Sequence, residues 1–103
     1  MQNTLIDMYQ DIIEHFWSVR SRNPMTCYEA DLYLYLVREC SLRDWANPFE
    51  LRSKKIECDL DIPRKTICSI RTKLEQKGLI TFEEGEKRGK GAMYNIVYVT
   101  QGN

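Results

Sequence analysis

Residues 61–80 read DIPRKTICSIRTKLEQKGLI. The stretch opens on a turn, continues through basic and hydroxyl side chains at helical spacing, and stops at a glycine. A helix is expected from about Pro63 to Lys77. Proline in a first turn has no intrahelical N–H bond to lose, and Gly78 suits a left-handed C-terminal cap. At about 100° per residue, Ile67, Ile70 and Leu74 share one face, and Lys65, Ser69, Thr72 and Gln76 share the opposite one. Thr66 and Lys73 flank the polar face, Arg64 stands at the N-terminal end, and Glu75 lies near the C-terminal end.

A face of that kind suits a DNA major groove. Lysine reaches guanine acceptors, glutamine pairs with adenine, and serine or threonine serves either. The positive end of the helix favours a phosphate nearby. The bland alternative is an ordinary solvated face. The segments C-terminal to the helix favour the sharper reading. LITFEE and MYNIVYVT are strand-like, with Tyr94, Ile96 and Tyr98 alternating with Met93, Asn95 and Val97. Between them GEKRGKGA sets Lys87, Arg88 and Lys90 among three glycines, a hairpin whose cationic tip can approach a phosphate backbone or a minor groove.

Upstream, Ser53 is expected to cap a short helix, KKIECDL, with Ile56 and Leu60 inward. The turn DIP then joins it to the basic helix. A short helix, a tight turn, a longer helix and a basic hairpin, in that order, make a winged helix-turn-helix. The expected architecture is α+β: an additional N-terminal helix within residues 1–22, the helix-turn-helix at 53–78 and a C-terminal β-hairpin wing at 79–100, all in one domain over 1–103. The length fits a single domain.

In the first half, Leu5, Tyr9, Ile12, Ile13, Phe16 and Trp17 recur near one face at helical spacing, with Thr4 and Asp7 as a weak capping signal and Pro24 ending the run. Asp7, Asp11 and Glu14 read as a solvated acidic face. TCYE at 26–29 is a capping box. DLYLYLV after it alternates like a strand, but the box and the length of the apolar run favour a central helix, apolar nearly all round. Pro48 is expected to end it, and Phe49–Leu51 to form a short strand.

Composition narrows the function. The chain has 15 Lys/Arg and 15 Asp/Glu, yet residues 1–50 carry four basic against eight acidic side chains, and residues 51–103 carry eleven against seven. Such a split suggests that one end meets an anion. Cys27, Cys40, Cys58 and Cys68 contain no C-x-x-C pair and His15 is the one histidine, so neither a zinc site nor any other cofactor is indicated. Cys40, Cys58 and Cys68 sit among apolar positions and read as buried free thiols. No apolar run nears the ~20 residues that span a bilayer; a soluble, cytoplasmic protein without membrane contact is expected. No nucleophile–base pair or phosphate-cradling loop is present, so an enzyme is not expected.

NPMTCYEADLYLYLVREC, then WANPFEL, then DLDIPRKTICSIRTKLEQKGLITF together resemble the N-terminal winged-helix domain of replication-initiation proteins, the replisome organisers of phages, plasmids and integrated elements. The resemblance covers about residues 13–98. It implies DNA binding in replication initiation or transcriptional control, with Arg64, Lys65, Thr66 and Ser69 beginning the recognition helix and the hairpin serving as wing. This chain has Asp61-Ile62-Pro63 where the family often has Gly-Ile-Ser. Lys65, Ser69, Thr72 and Gln76 are the expected base-reading residues, and Arg64, Lys73, Lys87, Arg88 and Lys90 the phosphate contacts. The expected partners are double-stranded DNA and a second copy, in a weak homodimer through residues 4–20. The alternative is a protein-docking module on the same fold.

Overall fold

The computed structural model describes residues 5–85 and 90–99. Within them the protein is a small α+β domain with four helices and a three-stranded antiparallel sheet around one core. The elements are α1 (Leu5–Arg22), α2 (Cys27–Leu42), β1 (Phe49–Leu51), α3 (Ser53–Leu60), α4 (Arg64–Gln76), β2 (Ile80–Glu83) and β3 (Ala92–Ile96). Strand β3 lies between β1 and β2, with Phe49 opposite Tyr94 and Ile80 opposite Ile96. The cap expected at Thr4 and the hairpin residues Lys87 and Arg88 lie outside the described residues. Among the described residues, no helix is long and apolar enough to cross a membrane.

Helix α2 is the centre. Thr26 and Glu29 close the expected capping box: the Glu29 N–H donates to Thr26 Oγ1 at 3.2 Å, and the Thr26 N–H donates to Glu29 Oε2 at 3.3 Å. DLYLYLV is helical, with Leu32, Tyr33, Tyr35, Leu36 and Val37 all buried. Full burial of each such side chain contributes about 1.5–3 kcal/mol. Tyr28, by contrast, is exposed. Glu39, also buried, is held by Arg43 at 2.9 Å, Arg38 at 3.1 Å and Lys55 at 3.8 Å. Lys55 also binds Asp59, whose carboxylate accepts from the Tyr35 hydroxyl at 2.6 Å. A buried carboxylate persists only with such partners, and these tie α2 to α3.

Several expectations at element ends are corrected. Helix α2 stops at Leu42, well before Pro48. Arg43 caps it, and Asp44 and Trp45 then take left-handed backbone at φ 55° and 61°. Aspartate tolerates that region and tryptophan does not; the Trp45 N–H bond to the Cys40 carbonyl (2.9 Å) and the edge-to-face contact of its indole with Tyr9 (6.2 Å) offset the strain. Ser53 is the first residue of α3 and not its cap: Arg52 holds that position without a side-chain bond. Pro63 likewise precedes α4 as its N-cap, with no side-chain cap from Asp61, whose own φ of 54° makes the turn.

Burial on α1 differs from the sequence reading too. Ile12, Phe16 and Val19 are buried, and so is Asp11, expected to be solvated; Leu5, Tyr9 and Trp17 are exposed. Phe16 stacks on Tyr33 with ring centroids 5.0 Å apart and planes 6° from parallel, so it belongs to the core. Among the cysteines, all free, Cys40 is buried and Cys68 half-buried, but Cys58 is exposed.

Candidate nucleic-acid interface

Helix α4 divides as its spacing dictates. Ile67, Ile70 and Leu74 are buried, while Lys65, Ser69, Thr72 and Gln76 are exposed on the opposite face. Arg64, Lys73 and Glu75 are exposed beside them, and Thr66 is half-buried. No ion pair among the described residues engages Arg64, Lys65 or Lys73. The Thr72 hydroxyl donates to the Cys68 carbonyl at 3.1 Å, so only its lone pairs remain for a partner.

Two devices fix this helix in place. At its C-terminus the Gly78 N–H donates to the Glu75 carbonyl (3.0 Å) and the Leu79 N–H to the Leu74 carbonyl (3.1 Å). That crossed pair requires a left-handed residue, and Gly78 supplies φ 79°. The Gly78 carbonyl in turn accepts from His15 Nε2 at 3.0 Å, which anchors α4 to α1. The adjoining Lys77 pairs with the buried Glu29 of the α2 cap.

The second device is Arg71. It lies on α4 about 40° from Ile67, at the margin of the apolar arc, and it is buried. Its guanidinium donates to the Tyr94 hydroxyl at 3.1 Å, pairs with Glu84 and lies 4.5 Å over the Phe82 ring. Burial alone would lower its pKa, but Tyr94 and Glu84 more than offset that and keep it charged. Phe82 and Tyr94 face each other across β2 and β3, so Arg71 clamps α4 to the stem of the hairpin.

The hairpin's neck is pinned on its other side. The Gly91 N–H donates to Glu50 at 2.9 Å. A Cβ on Gly91 would come within 2.7 Å of the Leu51 carbonyl, and one on Gly85 within 2.5 Å of that of Lys90. These glycines are therefore explained by close backbone approach within the fold. The backbone of Gly91 thus passes close to that of Arg52, just before α3, and both Arg52 and Lys90 are exposed. Arg52 and the exposed Lys54 add cations that the sequence reading left out. Their signal was position, at the first turn of the helix preceding the basic one.

The outer face of the sheet is different. A groove there, between α4 and the strands, is lined by Pro48, Glu75, Thr81, Phe82, Glu83, Met93 and Asn95. Two carboxylates and no cation make it unsuited to a polyanion, which leaves the polar face of α4 as the candidate surface. No known family model, curated protein or solved structure matches the chain.

Proposed function

We propose that the protein is a winged helix-turn-helix module that binds double-stranded DNA. The element order supports the reading: α3, a three-residue turn, α4 and an antiparallel hairpin whose second strand is central to the sheet. In this reading α4 enters the major groove. The observation that carries it is the outward face of α4, where Lys65, Ser69, Thr72 and Gln76 form a row of hydrogen-bonding groups with cations not spent on ion pairs. Lys65, Ser69 and Gln76 read base edges, Thr72 accepts, and Arg64, Lys73 and Lys90 hold phosphates together with Lys87 and Arg88. Thr66, half-buried, contacts the backbone near the helix start. In this reading, and on the resemblance of its sequence to replication-initiation proteins, the binding serves replication initiation or transcriptional control of a mobile element or a bacterial chromosome.

A titration of labelled random-sequence duplex at two or more salt concentrations tests this. The logarithm of the binding constant should fall linearly with log salt, and Arg64→Ala or Lys73→Ala should each reduce the slope by roughly 0.9. Absence of duplex binding, or slopes unchanged in Arg64→Ala/Lys73→Ala, would refute the assignment. It would leave the second reading, a protein-docking module, which the exposed apolar side chains of α1 favour.

A further inference from the structure

The groove on the outer face of the sheet holds about 560 Å³, within the range of ligand clefts. Its apolar surface comes from Pro48, Phe82 and Met93, and its charge from Glu75 and Glu83. Both carboxylates are exposed, and neither takes part in an ion pair among the described residues. Local structure gives neither a purpose. Glu75 stands in the last turn of α4, where the negative end of the helix dipole disfavours a carboxylate. Glu83 stands on β2 opposite Met93, which is itself opposite Glu50, so no cation meets it across the sheet. Arg71, which packs on Phe82, is already engaged by Glu84 and Tyr94. The groove thus joins an apolar surface to two carboxylates that no cation of its own lining matches.

We propose that this groove docks a basic, partly apolar peptide segment of a partner protein. Charge complementarity selects that occupant. A lysine or arginine supplies the positive charge that Glu75 and Glu83 lack, while its aliphatic stem and an apolar neighbour cover Pro48, Phe82 and Met93. A polyanion is repelled there, and a wholly apolar segment would take water from two carboxylates without pairing them. Thr81 and Asn95, opposite each other on β2 and β3, line the same groove and offer hydroxyl and amide groups to a peptide backbone. At about 100° per residue, Glu75 lies roughly 90° round α4 from the row of Lys65, Ser69, Thr72 and Gln76. The segment therefore docks beside that row and not on it. The proposal stands whether or not the protein binds DNA.

Fluorescence anisotropy of a labelled peptide of alternating leucine and lysine, titrated with the full chain at low salt, is the test. A peptide of alternating leucine and glutamate is the comparison. The lysine peptide should bind, and the glutamate peptide should bind at least about tenfold more weakly. Glu75→Gln and Glu83→Gln should each raise Kd for the lysine peptide about two- to fivefold, and the double variant about tenfold. Both side chains are exposed, so urea-unfolding midpoints should stay near wild type. Glu14→Gln, at an exposed carboxylate outside the groove, should leave Kd unchanged. A lysine peptide that fails to bind, equal binding of the two peptides, or a Kd unchanged in the double variant overturns the proposal. So does a wild type that sediments as a dimer without peptide and as a monomer in the double variant, which would make a second copy the occupant.

Discussion

Arg71 sits on a helix whose other cations face solvent, yet it is 3% exposed. Its contribution divides unequally between partners. Glu84 is 66% exposed at its side chain, so that ion pair is largely screened and Glu84→Gln should cost under ~1 kcal/mol. Arg71→Ala also removes the packing on Phe82 and leaves the buried Tyr94 hydroxyl without its donor. That change should cost about 2–3 kcal/mol. Urea-unfolding midpoints of the two variants measure the difference; equal losses would show that the ion pair carries the clamp. Neither the inward turn of Arg71 nor its partners were legible in the sequence: its angle on α4 borders that of the exposed Arg64, and Phe82, Glu84 and Tyr94 meet it only once the hairpin has closed.

At the scale of elements, starts were more legible than stops. The α2 start is set by Thr26 and Glu29, since the bonds of a capping box join residues three apart. Its end is not set by Pro48: Arg43 caps it, and the chain leaves on left-handed Asp44 and Trp45, with the Trp45 N–H bonded back to the Cys40 carbonyl and its ring against Tyr9 of another helix. The α4 stop is local again. Space around Gly78 is open and only its φ of 79° resists a side chain. Gly78→Ala should therefore cost about 1 kcal/mol, with Gly78→Asn costing less, as read by thermal or urea unfolding. An alanine variant as stable as wild type would mean that the crossed pair of bonds does not govern this terminus.

At the scale of the molecule, Glu29 links two distant helix ends: it closes the α2 cap and pairs with Lys77 beyond α4. Burial pushes its carboxyl up, but hydrogen bonds from Lys77 and Thr26 outweigh burial and hold it below the ordinary value of 4.5. A depressed folded pKa gives stability that is fully present above the unfolded value and is lost as pH falls through the folded one. Between about pH 5 and pH 3 the wild type should lose more stability than Glu29→Gln, in urea titrations at each pH. Parallel losses would remove Glu29 from the acid sensitivity. The charge split along the chain also reads differently on this scale. Residues 83–90 set Glu83, Glu84 and Glu86 against Lys87, Arg88 and Lys90, and α3 sets Lys54 and Lys55 against Glu57 and Asp59, so the basic excess of the second half rests on α4 with Arg52 and Lys77, not on the hairpin. By itself, the sequence determined which stretches form helices and strands, the start of α2, the glycine stop of α4 and that helix's two faces. Each of these depends on residues within a turn or two of one another. Only the tertiary structure decided that Phe16 is core while Trp17 is surface, that Asp11 and Glu39 are buried, and that Arg71 grips the hairpin. Those outcomes depend on which face a distant element covers, and on partners such as Tyr94, 23 residues from Arg71 in the chain.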